Sequence, residues 1–222
     1  LITGFDAFGD HQFNPSQAVV EALPDELSLR KFKVKVPLHP IVLPSSGENA
    51  WHALHRAILE SPPNAILAIL LAGLADRRSY ITLERFALNI KDYPILDNDG
   101  HRRRGERIDE YGPEAMRTSV DLEAIVRRQR RRGLPAEISN YAGSFVCNET
   151  YYRTLLLGSR NPSEHRILFV HLPPLSKIGK ALKESKQSRL SALAHGRANQ
   201  LQATRESIID IAAELCEQLV LA

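Results

Sequence analysis

The chain of 222 residues is long enough for one large domain with a substantial core, and its 43% hydrophobic and 25% charged residues are ordinary for a soluble globular protein. A net charge of +3 is too small to argue for nucleic acid, and no apolar run approaches the roughly 20 residues that span a bilayer. Two cysteines far apart, Cys147 and Cys216, exclude a disulfide framework and point to a reducing cytoplasm.

Leu1-Ile2-Thr3 reads as the tail of a strand, so a few residues are expected to precede Leu1 and no signal peptide is expected. Gly4 to Gly9 reads as a loop. Asn14-Pro15-Ser16 then starts a helix, with a capping Asn and Pro at the first helical position, and Gln17 to Leu23 forms its body. Phe32 to Val36 alternates strictly and predicts a strand. After the turn residues Pro44 to Gly47, Glu48 to Glu60 has helical spacing, with Trp51, Leu54 and Ile58 on one side. Ala65 to Leu71 is a continuous apolar run, as in a strand buried on both faces, and Ala72 to Asp76 reads as its closing turn.

Ile81 to Ile90 predicts a strand carrying Glu84, and Tyr93 to Arg107 a loop around the turn Asp97-Asn98-Asp99-Gly100. Asp121 to Arg132 predicts a helix closed by Gly133. Glu137 to Ser139 is a short strand that feeds the segment Asn140 to Thr150. Glu149 to Leu157 continues as helix, and Ile167 to Val170 is an apolar strand followed at once by His171. Ser176 to Arg189 reads as a polar, basic, mobile excursion, and Ala194 to Leu219 as the last long helix. Strands alternate with helices, no repeat or linker interrupts them, and the strongest strands are short apolar runs. The expected fold is one α/β domain over residues 1–222, a three-layer α/β/α stack on a largely parallel twisted sheet.

In such sheets ligands sit beyond the carboxyl ends of strands, and Phe5, Cys147 and His171 all follow apparent strands. Cys147 lies between a small-residue turn and a helix, where unpaired amides and the helix dipole favour a thiolate. An arbitrary cysteine is more often a small buried residue, which is the reading for Cys216. His171, one of eight histidines, is held by the stiff Leu172-Pro173-Pro174 and can exchange a proton with a nearby thiol. Glu84, in an apolar strand, either faces water or a neighbouring cation, or is buried and orients an imidazole. The basic runs His101 to Arg104 and Arg127 to Arg132 lack interleaved aromatics and read as solvated faces. No metal-ligand spacing, P-loop or GxGxxG motif is present, so no metal or cofactor is expected.

Four blocks carry a resemblance. They are Thr3 to Gly9 with Asn14-Pro15, Ile81 to Asn89 with Asp97-Asn98 and Gly100, Ser139 to Asn148, and Phe169 to Pro173. Their order and spacing resemble the pyroglutamyl peptidase I family of cysteine peptidases. The resemblance implies a Cys147–His171–Glu84 triad that removes an amino-terminal pyroglutamyl residue from peptides through a thioester. It also implies that Phe8 and Phe145 flank the lactam ring, that Phe5, Val146 and Ile95 help line the pocket, and that Asn14 supports it. Peptides with an amino-terminal pyroglutamate are then the partners, with no nucleic acid and no membrane, and homo-oligomers are consistent with the family. The chain departs from the family pattern at Leu74, Asp76 and Arg77, at Pro94 where an Arg is common, and in the long basic segment Ser176 to Arg189. Two other readings stay open from these departures: a cysteine hydrolase of another cyclic amide or acyl group, and a non-catalytic binding protein that uses the basic runs.

Overall fold

The computed structural model describes residues 1–62, 65–160, 165–184 and 192–220. In chain order the strands are β1 (Ile2–Phe5), β2 (Glu26–Leu29), β3 (Val34–Pro37), β4 (Pro40–Leu43), β5 (Ala68–Leu74), β6 (Ile81–Glu84), β7 (Phe86–Leu88), β8 (Ala115–Arg117), β9 (Ala136–Ser139) and β10 (Arg166–Leu172). The helices are α1 (Pro15–Glu21), α2 (Gly47–Glu60), α3 (Leu122–Arg131), α4 (Val146–Gly158), α5 (Leu175–Lys183) and α6 (Arg197–Val220). Six strands form the central sheet in the order β4-β1-β5-β10-β6-β9, while β2-β3 and β7-β8 are separate two-stranded ribbons.

The sheet is mostly parallel, with one antiparallel seam where β10 meets β6. Helices cover both faces. Along β5, Ile69 and Leu71 point into the core shared with α2 and α4, while Ala68, Leu70 and Ala72 point into the core shared with α1, α3 and α6. β10 alternates in the same way, with Ile167 and Phe169 on the first side and Leu168, Val170 and Leu172 on the second. A strand covered on both faces has no reason to alternate polar with apolar residues, which is why both read as continuous apolar runs.

Several sequence expectations shift. β1 continues through Gly4 and Phe5, which were expected in a loop. The alternating segment at Phe32 to Val36 does form a strand, but in the β2-β3 ribbon; the sheet position beside β1 goes to Pro40–Leu43, whose proline conceals it. β5 runs through Gly73 and Leu74, where a turn was expected. The stretch Ile81 to Ile90 divides at Arg85, because β6 stays in the main sheet and β7 leaves to pair with β8. Leu175, Ile178 and Leu182 form one buried stripe, so the first part of the expected excursion is the helix α5. Residues 185–189 of that excursion lie outside the described residues.

The basic run on α3 is used in packing. Arg128 pairs with Asp210, Glu214 and Glu217 of α6, and Arg132 pairs with Asp210. Gln129 donates to Asp210 at 2.7 Å and accepts from Ser207 at 2.7 Å. Among the described residues, no helix is long and apolar enough to cross a membrane.

Candidate active site

Cys147 is the second residue of α4, so it sits inside the helix, one residue past its start. Phe145 precedes the helix in extended conformation and provides no side-chain cap. The first amides of α4 are therefore left without a side-chain partner at the end where the helix dipole is positive. The Ser144 hydroxyl, just before them, donates to the Asp92 carbonyl at 2.7 Å. The first turn is pinned from the side. The buried Asn148 accepts from the Leu88 amide at 2.8 Å and donates to the carbonyls of Leu88 and Ile90. One turn on, the Tyr151 hydroxyl donates to the Glu84 carbonyl at 2.9 Å.

His171 was expected just after its strand but lies within β10, paired with Gly73 on β5 and Thr82 on β6. The strand's alternation puts its ring on the α4 side, 4.7 Å from the Phe169 ring. Its Nδ1 is 2.8 Å from Glu84 Oε1. Glu84 is fully enclosed at 0% exposure, and its Oε1 also accepts from Thr82 at 3.2 Å and from the Arg78 guanidinium at 3.4 Å. With Nδ1 on Glu84, the ring's other nitrogen is the one left for Cys147. Burial works against a charged imidazole here. Hydrogen bonds to Cys147 and Glu84, together with the charges of both, outweigh it and push the His171 pKa up to about 9.

The carboxyl-end rule locates only part of this centre. β6 and β9 run opposite to β10, so Glu84 at the end of β6 lies across from Phe169, below His171 rather than beside it. Segment 140–145 then returns the chain to bring Cys147 to the face where Gly73 and His171 lie. Cys147 is half-buried.

The aromatic residues named from the sequence gather next to this sulfur, with differing exposure. Phe8 and Phe145 are half-buried, and their ring centroids are 5.8 Å apart. A flat ring held between two facing rings needs about 7 Å, twice an optimal carbon–carbon separation, so here these two rings rest on each other. Phe145 is backed edge-on by Tyr93 at 4.9 Å, and the Tyr93 hydroxyl is 2.5 Å from the buried carboxylate of Glu149. Burial, with the Glu149 charge beside it, holds the Tyr93 phenol well above its ordinary pKa. Ile95 is exposed and lies over Gly9. Phe5 and Val146 are core residues at 2% and 1% exposure, and the Phe5 ring packs on Phe169. Asn14 caps α1 and donates to the Asp6 carbonyl at 2.9 Å, which ties down the start of the loop that carries Phe8. Asn98 closes the loop from the other side through Asp6 and Ala7.

Two residues of the centre were not singled out as site residues from the sequence. Arg78 links Glu84 to the Ser139 hydroxyl at 2.9 Å and the Tyr141 carbonyl at 3.0 Å, joining the triad carboxylate to the segment leading to Cys147. Its only signal was its place in the turn that departs from the family pattern. Gly73 is the other. A Cβ there would stand 2.9 Å from Cys147 Sγ, closer than real Cβ contacts, and 3.0 Å from Phe169 Cζ, tighter than most. Its signal was a glycine at the end of an otherwise bulky apolar run. Gly73→Ala is expected to cost about 1–3 kcal/mol of folding stability through this overpacking. Urea denaturation reads the change, and a variant as stable as its parent would show that β5 and α4 can part without strain.

Pro94 is exposed, and its carbonyl accepts from Arg102 at 3.3 Å. Among the described residues, no group of three or more His, Cys, Asp or Glu side chains is placed to hold a metal ion.

Known proteins are similar to this chain over most of its length. The family model described as pyroglutamyl peptidase matches residues 1–203. The chain is 32% identical over 213 residues to the pyrrolidone-carboxylate peptidase of Bacillus mycoides, covering 96% of this chain and 95% of that protein. It is 33% identical over 183 residues to the pyrrolidone-carboxylate peptidase of Fusobacterium nucleatum, covering 82% of this chain and 81% of that protein. The crystal structure of pyroglutamyl peptidase I from Bacillus amyloliquefaciens superposes with a TM-score of 0.75 at 29% identity, covering 96% of this chain and 95% of that one. With its cysteine, histidine and glutamate gathered on the sheet face that carries the family's motifs, the chain belongs to the pyroglutamyl peptidase family.

Proposed function

We propose that the chain acts as one hydrolase domain, a cysteine exopeptidase that removes an amino-terminal pyroglutamyl residue from peptides. The observation that carries this reading is the relay in which Glu84 holds His171 at 2.8 Å and His171 faces Cys147. The Cys147 thiolate attacks the pyroglutamyl carbonyl, and the first amides of α4 receive the oxyanion. His171, protonated at neutral pH, gives its proton to the leaving amine as the carbon–nitrogen bond breaks. The acyl group remains on Cys147 as a thioester. Water then adds with His171 taking its proton, and pyroglutamate leaves as the thiolate returns. Glu84 keeps the imidazole in one orientation and balances its charge.

Selectivity follows from the aromatic pair. The lactam enters by parting Phe8 from Phe145. Phe145 is braced by Tyr93, so Phe8, on its loop, is the ring that yields. A neutral lactam loses little on leaving water, whereas a charged amino-terminus loses a great deal. A cytoplasmic setting suits a catalytic free thiol, and pairing of Arg128 and Arg132 with acidic residues of α6 offsets part of that run's charge.

The test compares the fluorogenic coumarin amides of pyroglutamate and proline, which differ chiefly by the ring carbonyl and the charge on the ring nitrogen. Turnover of the pyroglutamyl amide should exceed that of the prolyl amide by about 10³-fold. Equal rates, or none with pyroglutamate, would overturn the reading.

A further inference from the structure

A groove of about 320 Å³, lined among others by His11, Phe13, Leu74, Pro174, Leu175 and Arg197, is separate from the cluster of Cys147, His171 and Glu84. Three connections join the two. Leu74 directly follows Gly73, the residue against Cys147 Sγ. Pro174 and Leu175 turn the chain from His171 into α5. The His11 ring lies 5.3 Å from Phe8, which in turn touches Phe145. One lining residue of the groove, His11, thus adjoins the ring pair that would hold the lactam.

Its walls are apolar, and its far end is positive. The Arg197 guanidinium lies 3.7 Å over the Phe13 ring, which fixes it in place, and it has no carboxylate partner among the described residues. It is also the first residue of α6, whose first turn holds no acidic side chain and whose dipole adds positive potential there. A groove with an apolar wall and a guanidinium that has no carboxylate partner among the described residues is matched to a short segment with an apolar side chain and a carboxylate.

We propose that this groove receives the leaving part of the peptide, with an apolar residue immediately after pyroglutamate packed against Phe13, Leu74 and Leu175. Arg197 then binds the free carboxylate of a leaving fragment of one or two residues. The favoured substrates are di- and tripeptides with a free carboxyl end, the products of prior peptide breakdown, ahead of longer or carboxamidated peptides. This rests on the pyroglutamyl peptidase reading above.

The test measures kcat/KM for pyroglutamyl-leucine and pyroglutamyl-leucyl-leucine, each against its carboxamide, in the parent protein and in Arg197→Gln. A free-acid preference of about fivefold is expected for at least one length, the size of an exposed ion pair, and Arg197→Gln should bring the ratio to about one. Because each ratio is taken within one enzyme, any loss of folded protein cancels. Equal rates for acid and amide at both lengths, or a preference that survives in Arg197→Gln, overturn the proposal. If the pyroglutamyl coumarin amide is turned over while those ratios stay at one, only the groove's role falls. If no pyroglutamyl amide is turned over, both fall.

Discussion

Replacing Cys147 with alanine is expected to lower turnover of pyroglutamyl amides by about 10⁴-fold or more and, in the same protein, to lower the pKa of His171. The first effect is the loss of the nucleophile: without the thioester, water has only the oxyanion site and binding to help it. The second follows from what raises the histidine. Burial pulls its pKa down, and the hydrogen bonds and charges of Cys147 and Glu84 lift it to about 9. Removing the sulfur removes one of the two lifts and leaves the burial in place. Two-dimensional NMR of the ring protons reads this directly, and an unchanged His171 titration in Cys147→Ala would show that the two side chains do not interact.

The sign of the linkage is definite. A histidine whose folded pKa stands above its unfolded value near 6.5 contributes stability that is complete below about pH 6.5 and is lost as pH rises through about 9. Activity shares the upper limit, because a deprotonated His171 has no proton for the leaving amine. The rate should therefore fall as pH passes about 9.

Glu84→Gln is the second large effect, with kcat expected to drop about 10³–10⁴-fold while KM changes little. Glutamine keeps the size of the side chain, so the enclosed site stays filled. What it loses is the charge that supports an imidazolium, and its amide can present nitrogen where Nδ1 needs an acceptor. Glu84 touches His171, Thr82 and Arg78 and none of the aromatic pair, so substrate affinity has no reason to move. Arg78 retains the Ser139 hydroxyl and the Tyr141 carbonyl, which keeps its turn in place. Steady-state kinetics decide the matter. A kcat within tenfold of the parent would make Glu84 a structural partner of Arg78 and nothing more.

Of the three residues proposed to react, Cys147 and His171 stand in local patterns, a cysteine at a turn-to-helix junction and a histidine ending an apolar strand, whereas Glu84 inside a strand left its role open and came from the family resemblance. α1, α2 and α3 were equally plain, from Asn14 and Pro15, from the stripe of Trp51, Leu54 and Ile58, and from Asp121 and Gly133. α5 carried the same kind of stripe, but its lysines and serine masked it. The β4 strand was hidden for a different reason. A four-residue strand that begins with proline is set by the neighbour it pairs with, and β1 supplies that neighbour from far away in sequence.

What the amino-acid order determined by itself was therefore local: where backbone amides need a cap, where apolar residues recur at helical or strand spacing, and which side chains have the chemistry. What only the tertiary structure decided was direction and distance. It ran β6 and β9 against the rest of the sheet, put Glu84 diagonally below His171, and set Gly73 against the Cys147 sulfur. It also placed Phe8 on Phe145, Phe5 on Phe169, and Arg197 over Phe13. Those relations join residues far apart in the chain, and contacts of that kind depend on how whole elements pack, a property that no short stretch of sequence contains.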